Sequence, residues 1–260
     1  MTKIFLNGCL GRMGRAVSAM AAESESMEII AGADVAAANP VFSYPVYKNI
    51  SECKEEYDVI IDFSNASAVD AVIDEAVAKN KPLVCCTTAL SDETQAKLEV
   101  ASSKIAVFKS ANMSFGMNVL FELVSQAAKA LYPGYDIEIV EAHHRRKLDA
   151  PSGSAYMIAE AIQSQVPDEL TYVYDRHDVR AQRSDKEIGF SSIRGGNIVG
   201  EHEVYFISDE ETVKISHSAK TRDAFARGAL TAAGFVADKK SGMYSMKDVI
   251  SGAFNKEENN

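Results

Sequence analysis

Apolar and polar positions along this chain of 260 residues change rhythm once, near Ala111. Before that point, short apolar runs alternate with longer stretches of helix formers. Lys3 to Leu6 is a strand ending at Asn7-Gly8, Met13 to Ala22 a helix, and Glu28 to Ala33 a second strand. Tyr57 to Phe63 is almost continuously apolar, the pattern of a strand covered on both faces. Ser64-Asn65 stands where it caps a helix from Ser67 to Lys79. Pro82 to Cys86 and Ile105 to Phe108 read as further strands around a helix from Asp92 to Ala101. This β-α-β rhythm predicts α/β architecture with a doubly wound parallel sheet.

After Ala111 the pattern is different. Met117 to Leu131 is a long amphipathic helix, stopped by Pro133-Gly134. Tyr135 to Ala142 alternates as a strand does, and Ile188 to Arg194, Ile198 to Ser208 and Thr212 to His217 read as more strands. Phe115 to about Ser218 is therefore expected to be an α+β unit with a mixed or antiparallel sheet. Arg222 to Ala237 returns to a helical, Ala-rich pattern.

Composition narrows the partners. With 27 basic against 37 acidic residues and a net charge of -10, a general nucleic-acid surface is not expected. No apolar run has bilayer length, and the N-terminus reads as a first strand, not a signal peptide, so no membrane partner is expected. Cys9, Cys53, Cys85 and Cys86 lack metal-ligand spacing, so no metal site is expected. They read as free thiols of a reducing cytoplasm. Residues 255–260 read as a solvated end.

Gly8-Cys-Leu-Gly11-Arg12-Met13-Gly14 follows the first strand and opens the first helix with the spacing G-x-x-G-x-x-G. Glycines there let the backbone approach a pyrophosphate seated on the helix N-terminus. Asp34, 20 residues beyond Gly14, closes the second strand, where a carboxylate holds adenosine ribose hydroxyls. Its plainer reading is a turn residue. Val35 and a run of alanines follow, with no Arg or Lys close in sequence, so NADH is expected to be preferred over NADPH. Arg12 and Arg15 are the cations left to reach a phosphate.

The densest chemistry lies between Glu141 and Ala155. His143 to Lys147 is five basic residues in a row, and Ser152-Gly153-Ser154 opens a helix whose leading N–H groups bind anions. An acid–base pair beside an anion cradle points to an enzyme acting on a small acidic molecule. Taken singly, each residue also has an ordinary role: His143 as a strand-end histidine, Asp149 as a turn residue or a partner of Lys147, Ser152 as a helix cap. Arg145 and Arg146 are assigned no chemistry, and His177, His202 and His217 are expected to be structural or peripheral.

This run, joined to the glycine loop, resembles the 4-hydroxy-tetrahydrodipicolinate reductase (dihydrodipicolinate reductase) family. The family signature E-x-H-H-x-x-K-x-D-A-P-S-G-T-A is matched except at Ser154, where Thr is usual. Asp62-Phe63-Ser64 resembles its D-F-T segment, Ala111-Asn112-Met113-Ser114 its A-x-N-x-S, and Arg194 to His202 and His217 to Arg222 its late segments. The resemblance implies a Rossmann-like domain of residues 1–114 plus 219–260 and a substrate-binding and tetramerisation domain of 115–218. It implies hydride transfer from NADH or NADPH to a cyclic dicarboxylate of lysine and diaminopimelate biosynthesis. His143 would be the proton donor, Lys147 its assistant and a carboxylate ligand, and His144, Gly153 and Ser154 further substrate contacts. Gly8, Gly11, Arg12, Met13, Gly14, Asp34, Phe63, Ser64, Cys86, Thr87, Thr88, Ala111, Asn112 and Met113 would face the cofactor in a cytoplasmic homotetramer.

Two departures stand out. The family's G-T-T-G is Cys86-Thr87-Thr88-Ala89 here, and Met113 replaces a common aromatic residue. Both bear on cofactor affinity more than on the reaction. Rival readings are another two-domain amino-acid dehydrogenase, which has no reason to keep H-H-x-x-K, and a nicotinamide-sensing regulator, which would lose the acid–base group first.

Overall fold

The structure is a computed structural model describing residues 1–36 and 42–254, so Ala37, Ala38 and the expected solvated end at 255–260 lie outside the described residues. The chain divides into two compact units, Met1–Phe115 with the residues from Arg222 onward, and Gly116–Thr221.

In the first unit, β1 (Thr2–Asn7), β2 (Met27–Ala33), β3 (Val46–Tyr47), β4 (Val59–Asp62), β5 (Leu83–Cys85), β6 (Ala106–Lys109) and β12 (Gly242–Tyr244) form one sheet. Its order is β12-β6-β5-β4-β1-β2-β3 and every pairing is parallel. Because side chains alternate across a strand, Ile4, Leu6, Val59 and Ile61 enter one core layer and Phe5 and Ile60 the other. The first layer is closed by α1 (Arg12–Ala22) and α6 (Asp223–Ala237), the second by α2 (Ala66–Ala78) and α3 (Asp92–Ser102). Strand order reverses between β1 and β4, which is where ligands of open α/β sheets bind, outside the carboxyl ends of the strands.

The second unit holds β7 (Asp136–His143), β8 (Thr171–Val173), β9 (Glu187–Arg194), β10 (Gly200–Ile207) and β11 (Thr212–Ala219), in the order β11-β10-β7-β9-β8. β10 is antiparallel to β7 and β11, whereas β9 is parallel to β7 and β8, so the sheet is mixed. Helices α4 (Phe115–Leu131) and α5 (Gly153–Gln163) bury Leu120, Val124, Ile158 and Ile162 against Ile137, Ile139, Val204 and Phe206. The residue between those two isoleucines, Glu138, instead pairs with Arg176 and Arg183.

The elements missing from the sequence reading are the short strands β3, β8 and β12, a 3-10 turn at Ile50–Glu52, and α7 (Met246–Phe254). Two or three residues show no full period, so their strand pairing comes from the neighbouring sheet edge. β10 starts at Gly200, not Ile198, because Gly196 takes a left-handed φ of 46° in the preceding turn. All four cysteines are free and buried, and among the described residues no helix is long and apolar enough to cross a membrane.

Candidate active site

The glycine loop is built as its spacing requires. Gly8 has φ 77°, and a Cβ there would strike the Phe63 carbonyl. A Cβ at Gly14 would overlap the Gly8 carbonyl, so α1 enters hard against the loop. Gly11 is the N-cap of α1 and gives no side-chain cap. The first helical bond runs from Arg15 N–H to Gly11 O at 3.0 Å, which leaves the Arg12, Met13 and Gly14 N–H groups ahead of it. That cradle fits a pyrophosphate.

Asp34 accepts the Leu10 N–H at 3.1 Å and the Ala36 N–H at 3.0 Å, which holds its carboxylate beside the loop. A cavity of about 540 Å³ is lined by Gly8, Gly11, Asp34, Lys48, Phe63 and Ser64, among others. Lys48 is the cation that the sequence did not reveal beside Asp34. It follows β3, whose Tyr47 is the register partner of Ala33, so the pairing sets Lys48 alongside Asp34.

At the carboxyl end of β4, Asp62 is fully buried. It accepts hydrogen bonds from Asn7 Nδ2 at 2.7 Å, Ser64 Oγ at 2.6 Å and Thr87 Oγ1 at 2.6 Å. Thr88 and Ala111 are exposed, whereas Cys86, Asn112 and Met113 are buried. Cys86 and Met113 belong to the core, and burial holds the Cys86 thiol well above its ordinary range, so neither offers a polar side chain to a ligand. Gly228 of α6 fits against Met113, because a Cβ there would overlap the Met113 carbonyl. Ala89 takes φ 56°, the left-handed conformation a glycine adopts readily.

In the second unit the expected acid–base group sits where β7 ends. His143 Nδ1 lies 2.5 Å from Glu141 Oε2, and Arg194 grips the same carboxylate with Nη1 at 2.9 Å and Nη2 at 2.6 Å. Glu141 and His143 share a face because they are two apart on a strand, and Arg194 is the register partner of His143 on β9. Burial alone would raise the Glu141 carboxyl. Hydrogen bonds from His143, Arg194 and Ser192 outweigh it and hold the group far below the ordinary carboxylate range. An ionised carboxylate only accepts, so His143 carries a proton on Nδ1 and presents Nε2 for exchange. Gly200 leaves room there, since a Cβ would come within 3.1 Å of Nε2.

Beyond β7, His144 and Lys147 close a turn, with Lys147 N–H bonded to His144 O at 3.0 Å. Lys147 Nζ lies 2.9 Å from Asp149, whose carboxyl is lowered by that contact. Arg194 Nη2 also donates to the Asp149 carbonyl at 2.7 Å, which ties the lysine turn to Glu141. Arg146 donates to Asn197 at 3.0 Å. Ser152 caps α5, accepting the Ala155 N–H at 3.2 Å, and the Gly153 and Ser154 N–H groups lie ahead of the first helical bond.

His202 takes the structural of the two places expected for it. It is buried, its ring packs edge-on to His143 at 5.3 Å, and its Nε2 lies 3.0 Å from Ser152 Oγ. Burial, reinforced by His143, pushes its pKa down to about 3, so the ring is neutral at neutral pH. Its Nδ1 is buried and has no hydrogen-bond partner among the described residues. His217 is likewise lowered by burial, whereas His177 is exposed. The residues that the geometry adds to these two groups are Glu141, Arg194, His202, Asp62 and Lys48. Glu141, Asp62, Arg194 and His202 stand in segments that carry the family resemblance, whereas Lys48 has no local signal.

Comparison with known proteins agrees over nearly the whole chain. The family profile described as "Dihydrodipicolinate reductase, N-terminus" matches residues 2–113, and "Dihydrodipicolinate reductase, C-terminus" matches 116–250. A 4-hydroxy-tetrahydrodipicolinate reductase of Caldanaerobacter subterraneus subsp. tengcongensis is 46% identical over 252 residues, covering 96% of this chain and 98% of that protein. One from Clostridium tetani is 43% identical, covering 95% and 96%. Among solved structures, a dipicolinate-bound dihydrodipicolinate reductase from Paenisporosarcina sp. TG-14 superposes with TM-score 0.79 at 24% identity, over 96% of this chain and 99% of that one.

Proposed function

The chain belongs to the dihydrodipicolinate reductase family, and from that membership we propose how its residues share out the reaction. The protein is an NAD(P)H-dependent oxidoreductase, a 4-hydroxy-tetrahydrodipicolinate reductase. The bound dinucleotide supplies the hydride. The Gly8–Gly14 loop and the α1 N-terminus hold its pyrophosphate, and Phe63, Ser64, Thr87, Thr88, Ala111 and Asn112 belong to the segments that surround the rest. Asp34 accepts from the adenosine ribose hydroxyls and repels a 2′-phosphate, which favours NADH. Lys48 in the same cavity gives that phosphate a counter-charge, so the preference over NADPH is modest.

In the second unit, Lys147, His144 and the N–H groups of Gly153 and Ser154 bind the two carboxylates of the heterocycle. Once the 4-hydroxyl has left as water, hydride addition to the resulting conjugated ring leaves an electron-rich ring atom, and His143 gives it the Nε2 proton while Glu141 keeps the Nδ1 proton in place. Neutral His202 packs against His143 without adding positive charge where an imidazolium must form. The observation that carries this reading is one unbroken set of contacts, Lys147–Asp149–Arg194–Glu141–His143–His202–Ser152, joining the proton donor to the anion cradle. We further propose that this unit assembles the homotetramer, because β11 is an eight-residue edge strand of the kind that proteins cover.

The test is loss of reduced-nicotinamide absorbance with 4-hydroxy-tetrahydrodipicolinate generated in situ, run with NADH and NADPH. Substrate-dependent oxidation of both, faster with NADH, is expected. No oxidation with either would overturn the reading, and a strong NADPH preference would overturn the role of Asp34.

A further inference from the structure

We propose that Asp62 is a positioning residue that fixes the direction of two hydroxyls in the dinucleotide unit, and thereby makes that part of the site select ligand groups that donate hydrogen bonds. The inference rests on the reading of the first unit as the cofactor unit and deepens it.

Asp62 collects donors from three loops at the carboxyl ends of adjacent strands: Asn7 ending β1, Ser64 after β4 and Thr87 after β5. All three contacts run towards Asp62: Asn7 Nδ2, Ser64 Oγ and Thr87 Oγ1 donate and the carboxyl oxygens accept. A hydroxyl has one hydrogen. At 2.6 Å to Asp62, the hydrogens of Ser64 and Thr87 are committed, and the other contact of Ser64 Oγ, to Asn65 O at 3.5 Å, is too long to compete. What Ser64 and Thr87 can still offer is lone pairs. Both side chains belong to half-buried residues, so those lone pairs are available to a ligand, whereas Asp62 itself is out of reach.

The consequence is a polarity within the site. The α1 N-terminus presents donors and suits phosphate oxygens. The Asp62 hub presents acceptors and repels them. On the nicotinamide side, a dinucleotide offers donors in two groups, the ribose hydroxyls and the carboxamide NH₂. Either fits the hub, and a carboxylate in place of the carboxamide does not. Asp62 therefore sets which half of the dinucleotide lies towards Ser64 and Thr87, although it touches none of it.

Asp62→Asn tests this, because an amide both donates and accepts. It turns one hydroxyl round and presents a donor where the native protein presents an acceptor. Binding is read by fluorescence titration of NADH, of reduced nicotinic acid adenine dinucleotide (carboxylate for carboxamide), and of an NADH analogue lacking a nicotinamide-ribose hydroxyl, with ADP-ribose as the control for an intact adenosine half. The native protein should favour NADH about tenfold or more over at least one analogue, and the arm that responds identifies the donor group. In Asp62→Asn that preference should shrink to about threefold or less while ADP-ribose binding stays within about threefold, as expected when one or two hydrogen bonds are lost or reversed.

Thr87→Val and Ser64→Ala keep the carboxylate and remove one acceptor each. At least one of them should weaken NADH about fivefold without weakening ADP-ribose, and this pair decides the matter if Asp62→Asn does not fold. Unchanged discrimination in Asp62→Asn, or no NADH-selective loss in either hydroxyl variant, overturns the proposal. A native protein that binds neither NADH nor ADP-ribose overturns the cofactor reading itself.

Discussion

Asp62 and Glu141 are two buried carboxylates, each at or near the end of a strand in its own unit, and they do different things. Asp62 is surrounded by an amide and two hydroxyls, all neutral. Glu141 meets a guanidinium and an imidazole. The first arrangement sets the direction of dipoles, and the second sets where a proton and a charge reside. A buried carboxylate thus takes its role from the company it keeps: neutral donors turn it into an orienting device, cationic donors into part of an acid–base system.

The largest test of that contrast is on the side with charge. His143→Gln and Lys147→Ala are each expected to lower turnover by about 10²–10⁴-fold, the usual worth of a positioned acid–base group. Near-normal turnover in both would leave Glu141 with nothing to organise.

Glu141→Gln should cost about 10²-fold in turnover through loss of the fixed tautomer. It should also cost about 2–3 kcal/mol of stability at pH 7, because Arg194 loses its charged partner. The sign of the pH effect follows from the lowered Glu141 carboxyl. Its contribution is present above the ordinary carboxylate range and disappears as pH falls through and below that range, so mutant and native stabilities should converge in acid. A stability gap that is constant down to pH 3 would break the distinction between the two carboxylates.

His202→Gln sharpens the comparison from the neighbouring ring. The folded pKa of His202 is about 3 against an ordinary 6.5, so the unfolded chain binds a proton that the fold excludes. Native stability should therefore fall as pH drops from 6.5 towards 3, by up to about 1.4 kcal/mol per unit. The variant should lose that part of the slope in urea titrations. Identical slopes would mean that His202 is not held neutral.

The smallest effect tests the Asp62 side. Ala89→Gly relieves a left-handed alanine two residues beyond Thr87 and should stabilise the protein by about 1 kcal/mol by denaturant titration. Any change in NADH affinity should stay within about threefold, because the Thr87 hydroxyl remains held by Asp62.

Much of this was legible in the chain. The parallel sheet follows from period and run length, since Ile4 to Leu6 and Val59 to Ile61 are apolar on both faces. The glycine loop and the His143–Lys147 run carry their chemistry in local order. What was hidden depends on register. Arg194 lies far from Glu141 in sequence, and only the β7–β9 pairing makes them neighbours. Lys48 is set alongside Asp34 by a two-residue strand too short to show a period. His202 read as structural or peripheral, and a lone histidine gives no local clue to which. Cys86 and Met113 sit in cofactor-facing segments by sequence, yet their side chains point into the core, which motif position alone does not decide.

The first unit is finished by a helix that arrives after the second unit has been made. Ala226, Ala229, Leu230, Ala232, Ala233 and Val236 of α6 complete the core layer begun by β1, β4 and α1. During synthesis, residues 1–115 therefore emerge with that layer open, and the inserted segment has all its strands and helices once Ala219 has left the ribosome. This chain order lets the inserted unit complete its fold before the leading one, against the usual N-terminal-first order. Chains that end at Thr221 and are released from the ribosome should carry a protease-resistant inserted unit and a cleavable leading one.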